Sequence, residues 1–226
     1  MTSRLLGRVL PHDGSLRILD AGCGTGINLA ELARFGRAFG CDFSSEALHF
    51  CRRRGLTGLV RADVNHLPYK DGTCDLVTFF DVLYHEAVAD DIVVLREAAR
   101  VLKPGGLVLI TDSAFDFLRG PHDAAMQGAR RYTLRGLAAK LGPAGLEPVR
   151  TSYFYMTTFP AVFLRRWIER RRAAKHPGAE VHSDLSPASR PVNAVLTGLL
   201  SLEGRWMASR RLPFGSSVVA LARKPI

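Results

Sequence analysis

Residues 18–28 read Ile-Leu-Asp-Ala-Gly-Cys-Gly-Thr-Gly-Ile-Asn, an apolar strand end followed by one carboxylate and three glycines at alternate positions. Gly22, Gly24 and Gly26 let the backbone turn sharply and come within van der Waals reach of a ligand, an approach that a Cβ would block. Asp20 sets a negative charge beside that turn. The dinucleotide fingerprint G-x-G-x-x-G, which seats a pyrophosphate on a helix N-terminus, would need a glycine at position 27, and this chain has Ile27 there. A carboxylate two residues before the first glycine suits an amino or sulfonium group better than a phosphate. A second carboxylate, Asp42, follows 22 residues beyond Asp20 and can accept hydrogen bonds from two neighbouring hydroxyls at once.

These groups need a frame. The chain alternates apolar runs with helical patterns, as a parallel sheet covered on both faces requires. Strands are expected near 17–20, 37–41, 58–62, 75–80 and 107–112, and helices near 27–35, 45–54, 90–102 and 133–142. A short amphipathic segment spans 4–10. Lys103-Pro104-Gly105-Gly106 carries the Pro and Gly expected just past a helix end. Two more strand candidates, 148–156 and 216–223, would complete seven strands, with the last antiparallel.

The 226 residues fit one α/β core with an insertion and are short for two independent cores. No stretch has signal-peptide character or the roughly 18 to 20 uninterrupted apolar residues of a spanning helix, so a cytoplasmic protein is expected. Cys23, Cys41, Cys51 and Cys74 contain no C-x-x-C pair and read as small buried hydrophobes. A net charge of +10, most of it arginine, is compatible with nucleic acid, anionic lipid or acidic substrates.

The first motif resembles D-x-G-x-G-x-G of the class I S-adenosylmethionine-dependent methyltransferases in all four key positions, and the resemblance runs over residues 16–112. It implies an α/β, Rossmann-like, seven-stranded, mostly parallel sheet with helices on both faces, and S-adenosylmethionine as cofactor with S-adenosylhomocysteine as product and no metal. By the same resemblance Asp20 and the three glycines bind the cofactor, Asp42 takes the ribose hydroxyls and Phe43 stacks on adenine. Asp63, with Val64 beside it, faces the adenine amine. Residues 75–86 resemble the family's D-x-V-x-x-x-x-V-L-x-H segment. There the backbone at Phe80 and Asp81 would meet the methionine amine, and Tyr84 and His85 would face cofactor or substrate.

The acceptor side is less specific. Displacement at an activated methyl needs mainly alignment, and an alcohol, phenol or amine acceptor also benefits from a base. His85 and His122 are the candidate bases, the imidazole being suited to proton removal near neutral pH. A later stretch, His122-Asp123 followed by Arg130-Arg131-Tyr132-Thr133, resembles a subset of bacterial methyltransferases. It offers Asp123, Arg130 and Arg131 as substrate contacts, with loop and helix-cap work as the plainer alternative. A small-molecule acceptor taking the methyl on oxygen, or less readily nitrogen, is expected. A sugar, a lipid-linked intermediate and a natural product all remain open.

An RNA substrate is disfavoured. Phe79-Phe80-Asp81 is not the Asn/Asp-Pro-Pro-aromatic segment of amino methylation, and no cysteine after Cys74 could serve a covalent route to cytosine. Asp81 and Asp112 alone make a thin case for a metal-dependent catechol-type enzyme. A cofactor-binding domain without methyl transfer stays open.

The family's last two strands form a hairpin, whereas here about sixty residues intervene. The core is therefore assigned to 1–156 and 213–226, with a helical insertion at 157–212. Because it leaves the ligand-binding edge of the sheet, the insertion is a candidate lid, with Phe163 and Trp167 closing over substrate. Its basic segment 159–172 is alternatively a membrane-surface helix. Lys175 to Arg190 reads as a mobile loop. Only about 15 residues precede the first strand, so either the insertion covers the cofactor or the true start lies upstream.

Overall fold

Strands form where the sequence is apolar on both faces, because a parallel sheet is covered by helices on both sides. The computed structural model describes residues 2–11, 13–175 and 189–226, which leaves the expected loop over most of 175–190 outside the described residues. In chain order come α1 (Thr2–Val9), β1 (Leu16–Ala21), α2 (Ile27–Leu32), β2 (Gly36–Asp42), α3 (Ser45–Arg53), β3 (Leu59–Arg61) and β4 (Cys74–Phe80). Next are α4 (Asp91–Val101), β5 (Leu102–Ser113), a 3-10 turn at Asp116–Leu118, α5 (Pro121–Ala125), α6 (Leu134–Leu141) and β6 (Glu147–Phe154). The insertion holds α7 (Phe159–Lys175) and α8 (Arg190–Ser209), and β7 (Ser217–Arg223) closes the chain.

The sheet runs β3-β2-β1-β4-β5-β7-β6, with only β7 antiparallel to its neighbours. Ile18, Leu76, Val77, Phe79, Val108, Leu109, Val218 and Leu221 are buried, and the four cysteines are buried with them as expected. The core is continuous from α1 to β7. Seven strands, their polarity and the two insertion helices match the expectation, and α4 ends just before Lys103–Gly106 as expected, with that segment itself taken into β5. Pairing resumes immediately after α4 at Leu102 with Cys74, and the register then slips to Leu76 with Leu107. Residues 103–106 are therefore an excursion of the strand, held by Gly105 N–H donating to the Lys224 carbonyl and Lys224 N–H to the Gly106 carbonyl, each at 2.9 Å. Gly105 supplies the positive φ of 77° that this bend needs.

Helix starts follow local chemistry. Ser44, Asp90 and Thr133 each accept a hydrogen bond from a first-turn N–H, of Ala47, Ile92 and Gly136 respectively. α8 is tied to the core by a buried carboxylate: Glu203 accepts from Met156 N–H, Thr157 N–H and Thr157 hydroxyl at 2.9, 2.8 and 2.7 Å. Met207 on the same face is fully buried, and Arg4 of α1 bonds the Ser201 carbonyl.

Candidate functional site

A cavity of about 550 Å³ opens at the C-terminal ends of β1, β2 and β4, where open α/β sheets bind ligands. Gly22, Gly24, Asp42, Phe43, Asp63, Val64, Phe80, Asp81, Tyr84 and His85 line it together, so most of the residues expected at the cofactor site converge. The three glycines serve different ends. Gly24, at φ 52°, has open space where a Cβ would stand and is the position at which a ligand can approach the backbone. A Cβ on Gly22 would lie 2.6 Å from Val82, and one on Gly26 would collide with Leu56 and Cys51. Gly26 lies outside the cavity lining and packs at the start of α2.

Asp42 is held in place before any ligand arrives. Its Oδ2 accepts from Gly24 N–H at 2.8 Å and its Oδ1 from Ser44 N–H at 2.9 Å. Each oxygen keeps a second lone pair for a hydroxyl. Phe43 is exposed, its ring 5.8 Å from that of His85. Asp63 has Oδ1 committed to the backbone and side-chain amides of Asn65, at 2.9 and 2.7 Å, and is exposed beside the cavity.

Asp20 departs from its expected place. It is fully buried beneath the glycine turn, opposite Thr78 in the β1–β4 register, and does not reach the cavity lining. Thr78 hydroxyl donates to its Oδ1 at 2.6 Å, and Oδ2 has no partner. Burial pushes its pKa up to about 7 despite the Thr78 bond, and the charge of Asp42 adds to the rise. The folded protein thus holds this proton well above the carboxylate's ordinary value of 3.8. This contribution to stability is complete below that value and is lost as pH rises toward 7, with a slope of up to about 1.4 kcal/mol per pH unit. Urea unfolding of the wild type and Asp20→Asn across this range should give curves whose difference carries that slope; parallel curves would overturn the assignment.

Asp81 caps β4 in the left-handed region, at φ 55°, with its N–H donating to the Thr111 carbonyl at 2.9 Å. Its carboxyl is accessible from the cavity, yet the surrounding protein strips enough hydration to push it up to about 6. Asp112 lies behind it, fully buried and accepting from the N–H groups of Tyr84 and Ser113. Burial and the Asp81 charge raise Asp112 well above the ordinary range.

His85 is committed at both nitrogens. Ala87 N–H donates to Nδ1 at 3.1 Å, which leaves the hydrogen on Nε2, 3.2 Å from Gln127 Oε1. To accept a substrate proton it would have to release one of these bonds, so the geometry makes it a donor and a wall rather than a ready base. His122 lies in α5, and its side chain is outside the described residues. The cavity wall that sequence reasoning missed is Ala125, Met126 and Gln127, which follow from a five-residue helix too short to leave a periodic signal.

The expected substrate arginines bind the chain itself. Arg130 pairs with Asp91 and with the Leu83 and Val88 carbonyls. Arg131 grips Asp123 through Nε and Nη2 at 2.7 and 3.1 Å and donates to the Ala114 carbonyl at 2.9 Å. Asp123 also accepts from Gly120 N–H at 2.7 Å. Burial opposes ionisation of Asp123, but the Arg131 and Gly120 bonds outweigh it and hold its pKa below the ordinary value. Phe163 and Trp167 are likewise not in the lining, which draws on no described residue of α7 or α8. Phe163 instead meets Phe117 and Phe159, ring centroids 6.1 and 6.3 Å apart.

Residues 19–110 match the family model described as a methyltransferase domain. A fatty-acid O-methyltransferase of Mycolicibacterium smegmatis is 40% identical over 103 residues, 43% of this chain and 37% of the relative. A ubiquinone biosynthesis O-methyltransferase of Bordetella bronchiseptica is 34% identical over 171 residues, 63% of this chain and 68% of the relative. The chain thus spans well under half of the fatty-acid enzyme's length and about two thirds of the second. Among solved structures, an S-adenosylmethionine-dependent methyltransferase from Mesorhizobium loti superposes with a TM-score of 0.62 at 19% identity, covering 96% of this chain and 95% of that one, which speaks to the fold.

Proposed function

The chain belongs to the S-adenosylmethionine-dependent methyltransferases, and from that premise we propose that it methylates an oxygen of a small apolar acceptor. The observation that carries the reading is the fit of the cavity to the cofactor. Gly24 offers backbone with nothing beyond it, and the pre-held Asp42 carboxylate can take two hydroxyls. Phe43, Val64 and Phe80 give an apolar slot for a purine, in a cavity of about 550 Å³. When bound, the cofactor supplies a methyl carbon already activated by its positive sulfur.

The protein's share is alignment and proton removal. Tyr84, His85, Met126 and Gln127 form the wall against which an acceptor would rest, with the Gln127 side-chain NH2, left over once its Oε1 meets His85, as a polar group. Asp81 would take the proton of the acceptor's O–H as that oxygen gains the methyl, the methyl–sulfur bond breaking and S-adenosylhomocysteine leaving. Among the lining groups Asp81 combines access to the cavity with a pKa close to neutrality. The named activities of relatives, on a fatty acid and in ubiquinone biosynthesis, support an oxygen acceptor on an apolar body.

Calorimetry with S-adenosylmethionine tests the cofactor reading. Asp42→Ala removes the acceptor for two hydroxyls and frees the glycine turn. Charged hydrogen bonds contribute roughly 1.5 to 3 kcal/mol, so affinity should fall on the order of 10- to 100-fold with the fold intact. Unchanged affinity sinks the site. Turnover of an acceptor panel with labelled cofactor, scored by mass spectrometry, then tests transfer to oxygen.

A further inference from the structure

α7 leaves the C-terminal end of β6, which lies level with the end of β5 in the sheet register, so the helix starts on the same sheet edge as the cavity. It carries Phe163, Leu164, Trp167 and Ile168 exposed, and Phe163 continues into exposed Phe117. Phe159 links this patch to exposed Phe214, 5.4 Å away between centroids. Solvent-exposed apolar side chains this concentrated mark an interaction surface. Cations are interleaved with them. Arg170 and Arg171 have no carboxylate partner among the described residues, while Glu169 is already taken by Arg165 and Arg166. Arg171 lies 3.9 Å over the ring of Trp167, which is 44% exposed.

We infer that α7, with Phe117 and Phe214, is a seat for an anionic lipid surface, and that the enzyme works with its cavity edge against a membrane. A lid is the alternative, but the cavity is walled by Ala125, Met126 and Gln127, and Phe163 and Trp167 point elsewhere. A second copy would set the unpaired arginines of one two-fold-related face against those of the other, which costs energy. Anionic headgroups satisfy them, and an indole paired with a guanidinium suits the boundary between headgroups and acyl chains. Contact passes inward as well: Arg166 packs on Gly120, whose N–H holds Asp123 at the start of the segment that walls the cavity. The inference stands apart from the methyl-transfer reading, since lipid binding is read without turnover.

The chain has two tryptophans, Trp167 on α7 and Trp206 on α8, so single Trp→Phe variants report each helix separately. Full-length protein should float with vesicles of phosphatidylcholine containing phosphatidylglycerol, at least tenfold more than with phosphatidylcholine alone, and be released by high salt. In Trp206→Phe the remaining Trp167 emission should shift to the blue on the anionic vesicles. Arg170→Glu with Arg171→Glu, and separately Leu164→Ser with Ile168→Ser, should each cut binding at least tenfold while S-adenosylmethionine affinity is retained. No flotation on anionic vesicles at low salt overturns the inference. So does a blue shift carried by Trp206 alone, or a concentration-dependent dimer in place of lipid binding.

Discussion

Arg131→Ala should cost about 3–5 kcal/mol of folding stability, the range for removing one partner of a buried ion pair. The pair is nearly buried, with 9% of the Arg131 side chain accessible against 6% for Asp123. Alanine would leave the Asp123 carboxylate buried with the Gly120 N–H as its one hydrogen-bond partner among the described residues, and would drop the bond to the Ala114 carbonyl as well. The substrate-binding reading predicts the opposite pattern, a raised acceptor KM in a protein of normal stability. Urea unfolding separates the two. A second comparison guards against a mere packing effect: Arg131→Met with Asp123→Leu removes both charges and should recover much of the loss. If the double variant is no better than the single, the pair is not what the alanine broke.

The cofactor half was legible because its signals are local. A strand end, a glycine turn and a carboxylate two residues before it are contiguous in sequence, and strand spacing alone carries Asp42 to the same sheet edge. What was not legible is which of several like residues faces the ligand. Gly24 and Gly26 share one motif, yet only Gly24 meets open space, because Cys51 and Leu56 come from α3 and its exit to crowd Gly26. Asp20 reads as a ligand contact until register sets it against Thr78, 58 positions away, and strand pairing that distant leaves no mark in the local pattern.

On the acceptor side the two readings of Arg130 and Arg131 could not be told apart locally, for the same physical reason. Arg130-Arg131-Tyr132 has the residue types of an anion clamp, and its charges are spent on Asp91 and Asp123, brought from other elements by packing. Thr133, whose role is local, caps α6, in line with the helix-cap alternative for this stretch. In the insertion, helices were expected and found. The lid expectation rested on where the segment leaves the sheet, and neither the Glu203 anchor nor the turn of α7 toward Phe117 is encoded in that position.

Asp81→Asn should lower kcat on a hydroxyl acceptor by about 100- to 10,000-fold, the usual loss when a proton acceptor is removed. Asparagine tolerates the left-handed backbone at this position, so the N–H bond to Thr111 and the course of β4 into the cavity wall survive the exchange. Cofactor affinity should accordingly stay within a few-fold. The pH profile gives the sharper test. With Asp81 titrating at about 6, the protonated form dominates below that value and cannot accept, so the wild-type rate should climb through pH 6 and level off above it. The climb should vanish in the variant. His85→Gln should retain the climb, because the imidazole is already bonded at Nδ1 by the Ala87 N–H and at Nε2 by Gln127. Should His85→Gln abolish the pH dependence while Asp81→Asn leaves it, the proton goes to the histidine after one of those bonds opens. Full turnover by both variants would mean that the acceptor arrives already ionised, as a carboxylate does, and that alignment between Gly24, Asp42 and the Met126 wall supplies the rate.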